Sequence, residues 1–148
     1  MHLAEVTPDN FDAAISITVA DDQNDLVAPV LKSLAEAYVH RDTAWPRLVY
    51  DGSSPVGFVM AFIDAPWPGT EEKRSGLWRL NIAADRQGRG YGAFTVRAVC
   101  DELRSRGVRH VYVTYVPREG GPAPFYRKLG FRVTGEMLDD EAVAVLDL

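Results

Sequence analysis

The chain has 148 residues, 47% of them hydrophobic and 10% aromatic, and a net charge of −5. That is enough apolar side chain for one core, so a single domain over residues 1–148 is expected. No run approaches the roughly 18 apolar residues of a bilayer span, MHLAEVTPDN lacks the regions of a secretory leader, and the acidic balance disfavours nucleic acid; a cytoplasmic protein with no membrane or nucleic-acid partner follows as the expectation.

From the N-terminus, HLAEV alternates over a strand length. Thr7-Pro8 then offers an N-cap with proline at the first helical position, and Phe11, Ile15 and Val19 share one helical face. A second helix is predicted from Val27, Val30, Leu31, Leu34 and Tyr38, with Pro29 in its first turn. PRLVY and PVGFVMAFI flank the turn DGSS as an antiparallel hairpin, and PWPGTEEKRSG reads as a loop. LWRLNIAA is the next strand.

The run DRQGRGYGAFTVRAV follows it directly. Its glycines give way to a helix with Val96, Val99, Cys100 and Leu103 at i, i+3, i+4 and i+7, ended by Arg104, Arg106 and Gly107. Cys100 reads as core, and with no Cys or His partner at ligand spacing no disulfide and no metal site are expected. VRHVYVTYV is β-rich, with His110 decorating the strand; PREGGPAP is a loop, FYRKLG a short helix closed by Gly130, and FRVTGE and EAVAVLDL are the last strands.

A strand, a glycine turn and a helix N-terminus present free N–H groups to a phosphate or pyrophosphate. Gly88, Gly90 and Ala93 formally satisfy G-x-G-x-x-A. A dinucleotide site would put that turn after the first strand of a parallel array, with an acidic residue about twenty positions on; here it follows four strands, and VRHVYVTYV has no carboxylate. No P-loop is present, and the HRD string at His40 to Asp42 has no accompanying kinase motif.

Gln87-Gly88-Arg89-Gly90-Tyr91-Gly92 matches the pattern [QR]-x-x-G-x-[GA], and Phe125-Tyr126-Arg127-Lys128-Leu129-Gly130-Phe131 sets a Tyr four residues before a Gly-Phe pair. On these motifs and the order βααβββαβαββ, the chain resembles the GCN5-related N-acetyltransferases (GNAT). The resemblance implies an α+β domain with a mixed, mostly antiparallel sheet of about seven strands and about four helices, and acetyl transfer from acetyl-coenzyme A to a primary amine by direct attack. SLAEAYVHRD, PRLVYDGSSPVGFVM and TGEMLDDEAVAVLDL resemble the diamine and polyamine branch, which implies a small basic amine as acceptor; a homodimer is also expected.

The resemblance also implies roles. Backbone groups of Leu80, Asn81 and Ile82 would meet the pantetheine arm, with the Ile82 N–H on the thioester oxygen. Gln87, Gly88, Arg89, Gly90, Tyr91 and Gly92 would form the pyrophosphate turn, with Arg127 and Lys128 as further candidate phosphate contacts, and Tyr126 would protonate the leaving thiolate. Family members often carry a carboxylate on the strand before the turn, and polyamine enzymes an Asp where Trp78 stands. The general base is therefore open among Asp64, Glu36, Glu119 and a water chain. Glu119 also replaces an Asn that in many members touches pantetheine. A non-catalytic acyl-coenzyme A sensor and a dinucleotide module are the competing readings. Residues 1–72 hold three basic and twelve acidic residues, net −9, whereas residues 73–148 hold thirteen and nine, net +4; this division points to a polyanionic coenzyme on the second half and a cationic acceptor on the first.

Overall fold

A computed structural model describes residues 1–148. In chain order the elements are β1 (His2–Ala4), α1 (Phe11–Ile15), α2 (Val30–Val39), β2 (Ala44–Asp51), β3 (Ser54–Pro66), β4 (Lys73–Ile82), α3 (Tyr91–Ser105), β5 (His110–Tyr115), α4 (Ala123–Lys128), β6 (Arg132–Leu138) and β7 (Glu141–Asp147). The strands form one sheet in the order β1-β2-β3-β4-β5-β7-β6. Every neighbouring pair is antiparallel except β4 and β5. The α+β class, the mixed sheet of seven strands and the four helices are those expected.

Alternation along the central strands builds a core on each face of this sheet. Val49, Val59 and Ala61 point to the face covered by α3 and α4, where Val96, Val99, Cys100 and Leu103 join them. Leu48, Phe58 and Met60 point the other way and pack with Ala14, Ile17 and Val30 from the α1–α2 region. Each such large side chain contributes about 1.5–3 kcal/mol by leaving water.

Two expectations about helices are corrected. α1 is not capped by Thr7: the Asn10 carboxamide accepts the Thr7 N–H at 2.7 Å and donates to the Glu5 carbonyl at 3.0 Å, holding residues 7–10 as a turn, so the helix begins at Phe11. Its buried residues are Ala14 and the following Ile17, while Phe11 lies exposed. In α2, Val30 and Ser33 face the sheet, and Leu31 and Tyr38 face water. Leu34 and Ala37 also pack on this core, so the inward stripe of α2 runs through positions 30, 33, 34 and 37 and leaves Leu31 and Tyr38 outside it.

β3 and β4 run further than expected, and the predicted loop over 66–76 shrinks to residues 67–72. Pro66, Ala65 and Phe62 pair with Lys73, Arg74 and Gly76. The charged stretch tolerates a strand because Arg74 lies 4.7 Å over the Trp67 ring and 4.2 Å over the Tyr112 ring while its guanidinium reaches Glu72 and Glu136.

The parallel pair is what positions the site. β4 and β5 pair only through Ser75–Leu77 and Val111–Val113. A Cβ at Gly76 would stand 1.9 Å from the Tyr112 carbonyl oxygen, so only glycine permits this closest approach. Immediately beyond, the β3–β4 register slips so that Met60 faces Arg79 and Ala61 faces Leu77, leaving Trp78 as an unpaired bulge. β4 then continues with β3, β5 continues with β7, and the two central strands separate.

Candidate active site

In the separated part of β4 the backbone groups divide by alternation. The Ala83 N–H donates to the Val56 carbonyl at 2.9 Å, so in this register Asn81 and Arg79 also turn their backbone groups to β3, and Leu80 and Ile82 turn theirs to the gap. The expectation that three consecutive residues present backbone there is thereby corrected to two. Asn81 is buried instead, its carboxamide donating to the Ala28 carbonyl at 3.0 Å.

β4 runs toward the N-terminus of α3. Gly90 precedes that helix with φ +85° and Gly88 has φ +74°, left-handed conformations that glycine adopts without penalty. No side chain caps the helix, so the first-turn N–H groups of Tyr91, Gly92 and Ala93 point outward at the positive end of a fifteen-residue helix. The turn is braced. Gln87 donates to the Ile82 carbonyl at 3.1 Å and to Gln23 at 2.7 Å, and the Tyr91 hydroxyl donates to Asp51 at 2.5 Å, which raises its pKa.

A cleft of about 1580 Å³ follows the gap from this turn to the far side of the sheet. Tyr126 is buried on its wall, stacked on Tyr115 with ring centroids 5.7 Å apart and edge-on to Phe125 and Phe131. Burial, reinforced by Tyr115, drives its pKa far above the ordinary phenol value. The phenol therefore stays protonated throughout the neutral range.

Ile82, Leu80, Gln87, Gly88, Gly90, Tyr91, Gly92 and Tyr126 all line this one cleft. Arg89 and Arg127 are exposed and lie off the lining, whereas Lys128 lies on it. The sequence reading missed Arg86 and Arg97, which stand at the coenzyme-like end. Arg97 was findable: with Gly90 and Ala93 it occupies i, i+3 and i+7 of one helical face.

The base candidates separate clearly. Asp64 sits at a β-bulge with φ +53°, off the cleft, its N–H donating to the Ser75 hydroxyl at 2.9 Å. Glu119 is exposed and off the lining as well. Glu36 binds the Arg79 guanidinium at 3.1 Å; burial lowers the Arg79 pKa, opposed by Glu36 and Glu141. Beyond the bulge the cleft is lined by Trp67, Trp78, Arg79, His40, Thr43 and Glu141. His40 and Glu141 come from the end of α2 and the start of β7, and no spacing along the chain could have joined them.

The sequence matches the profile of the Acetyltransferase (GNAT) family over residues 8–131. Over 79 residues it is 29% identical to an L-2,4-diaminobutyric acid acetyltransferase of Shouchella clausii; the match takes in 53% of this chain and 42% of that protein. Among solved structures it resembles a ribosomal-protein-alanine N-acetyltransferase from Brucella melitensis (TM-score 0.73, 15% identity, 100% of each chain). It also resembles the PaiA N-acetyltransferase from Thermoplasma acidophilum in complex with coenzyme A (TM-score 0.71, 12% identity, 99% of this chain and 98% of that one). With the family profile spanning most of the sequence and a gapped sheet of the same architecture, the chain belongs to the GNAT family of acetyltransferases.

Proposed function

We propose that this protein transfers an acetyl group from acetyl-coenzyme A to the primary amine of a small basic molecule. The observation that carries the reading is the unpaired edge of β4, which leads from the uncapped N-terminus of α3 to the neutral phenol of Tyr126. In this reading the pyrophosphate sits on the N–H groups of Gly88 to Gly92, aided by Arg97 and Lys128. The pantetheine arm pairs with Leu80 and Ile82. The amine nitrogen attacks the thioester carbonyl carbon, and the N–C bond forms as negative charge gathers on the oxygen, held by the Ile82 N–H. The C–S bond then breaks as Tyr126 protonates the departing thiolate, while the nitrogen gives up its proton to water, which restores the phenol.

The acceptor class rests on less. A diaminobutyrate acetyltransferase among the relatives favours an amine of low mass. The acidity of the first half does not gather at the cleft, however: Asp25 is its one carboxylate on the lining and is paired with Arg118 at 2.7 Å. Glu141, from the basic half, is the carboxylate at the acceptor end. Attraction there is for one ammonium rather than for a polycation, and spermidine is one arm of the test. The experiment is thiol release from acetyl-coenzyme A with 1,4-diaminobutane, spermidine, 2,4-diaminobutyrate, butylamine and glutamate. Turnover with the basic amines and none with glutamate is expected; coenzyme binding without turnover on any amine would make the protein a sensor.

A further inference from the structure

An aliphatic amine with a pKa near 10 is unprotonated in roughly one molecule in a thousand at neutral pH, so a transferase working on it gains by removing a proton in the site. Within the transferase reading above, we infer that the groups beyond the Trp78 bulge form a built ammonium site in which Glu141 holds the acceptor's ammonium and His40 takes its proton.

His40 closes the C-terminal end of α2. Its backbone is pinned on both sides, the N–H donating to the Glu36 carbonyl at 2.9 Å and the carbonyl accepting from the Ala44 N–H at 2.8 Å. The ring stands edge-on to Trp78 with centroids 5.9 Å apart, on the cleft lining. The outer side of His40 meets water, so the proton can leave without crossing the core.

The other charged groups around the ring do not compete for this role. From α2 itself, Glu36 is engaged by Arg79 at 3.1 Å. Arg79, on β4, is a permanent cation. In the segment after α2, Arg41 lies 4.2 Å over the Tyr38 ring and donates to the Tyr38 carbonyl at 3.1 Å, and Asp42 is exposed and off the cleft. Across the gap, at the start of β7, Glu141 is half-buried and close enough to Arg79 to act on it electrostatically. Glu36 being held by Arg79, Glu141 is the one carboxylate on this end of the lining, the complement of an ammonium. Carboxylates as a class are too weakly basic to deprotonate an alkylammonium efficiently, whereas imidazole exchanges protons near neutrality.

The test measures kcat and KM for 1,4-diaminobutane and butylamine from pH 6 to 10 in the wild type, His40→Gln, His40→Asn, Glu141→Gln and the control Asp42→Asn, with coenzyme A affinity followed by calorimetry. The expected result for both His40 variants is a loss of kcat/KM of about 10²-fold at pH 7, the scale of one general base. That loss closes toward pH 10 as free amine becomes abundant, and coenzyme affinity is unchanged. Glu141→Gln should raise KM about tenfold with kcat nearly constant, and Asp42→Asn should match the wild type. A His40 variant with the wild-type pH profile, or one slowed equally at every pH as a merely structural change would be, overturns the assignment of the base. An unchanged KM in Glu141→Gln overturns the ammonium site. Failure of the transferase reading itself appears elsewhere, in a wild type that releases no thiol with any amine, and would remove this inference with it.

Discussion

Gly90 and Gly107 flank the same helix with the same φ of +85°, and a Cβ at either would meet no protein atom within 4 Å. Substituting alanine therefore imposes the same kind of strain at both ends of α3, about 1–2 kcal/mol for an L-residue held in the left-handed region. For 148 residues the unfolding entropy is about 0.3 kcal/mol/K, so each substitution should lower Tm by about 3–6 °C. The two differ only in what lies outside them: Gly90 lines the cleft and Gly107 does not. Coenzyme A at a hundredfold excess over Kd should stabilise the wild type by about 2.7 kcal/mol, or about 9 °C. Gly107→Ala should keep that increment on its lowered baseline, and Gly90→Ala should lose most of it, because its turn either carries a methyl group toward the phosphates or relaxes and re-aims its N–H groups. Differential scanning fluorimetry with and without coenzyme A reads both. An equal coenzyme increment in the two variants would refute the placement of the pyrophosphate on this turn.

Tyr126→Phe should retain coenzyme affinity while the single-turnover acetylation rate falls by about 10²–10⁴-fold; because burial raises the phenol's pKa, the wild-type rate should show no alkaline decline from this group up to pH 10. The Asp25 carboxylate receives two hydrogen bonds from Arg118, at 2.7 and 3.0 Å, which lower its pKa. The tie is thus fully present above the unfolded Asp value of about 3.9 and lost as pH falls through the lower folded value. Amide exchange over residues 20–29 should be faster in Arg118→Gln than in the wild type at pH 7, and equal rates would show that the tie does not hold that segment. Raising salt from 20 to 300 mM should weaken KM for 1,4-diaminobutane and leave that for a neutral amide analogue used as inhibitor unmoved, as screening of a single ammonium contact requires.

Most of the fold was legible because its signals are local. The apolar run PVGFVMAFI beside the turn DGSS and the helical spacing of Val96, Val99, Cys100 and Leu103 are readable within a window of a dozen residues, and residues 56–61 and all four helix positions are buried. The failures share a cause. Helical spacing groups Leu31 and Tyr38 with Val30 and Leu34, yet which part of so broad a face turns in depends on the sheet beneath it, and here the sheet takes Val30 and Ser33. The Lys73–Gly76 stretch read as loop because its charges look solvated, and only the aromatic stack of Trp67 and Tyr112 on either side of Arg74 makes it strand.

The two ends of the cleft were unequally readable for a physical reason. The coenzyme-like end is made of backbone: left-handed glycines, an uncapped helix and the free edge of β4 occupy one continuous stretch from Leu80 to Gly92, and their glycines write themselves into the sequence. The acceptor end is made of side chains delivered by α2, β4 and β7 from positions about forty and sixty residues apart, so His40 and Glu141 look like any surface histidine or glutamate until the fold brings them to one wall. The bulge at Trp78 is the hinge between these halves. By spending one unpaired residue there, β4 bends from its pairing with β5 and opens the edge the coenzyme needs, while the displaced indole turns to meet His40. In the proposed reading the tryptophan there brings no ionisable group of its own but seats one from α2, because its indole is the surface against which the His40 ring packs edge-on.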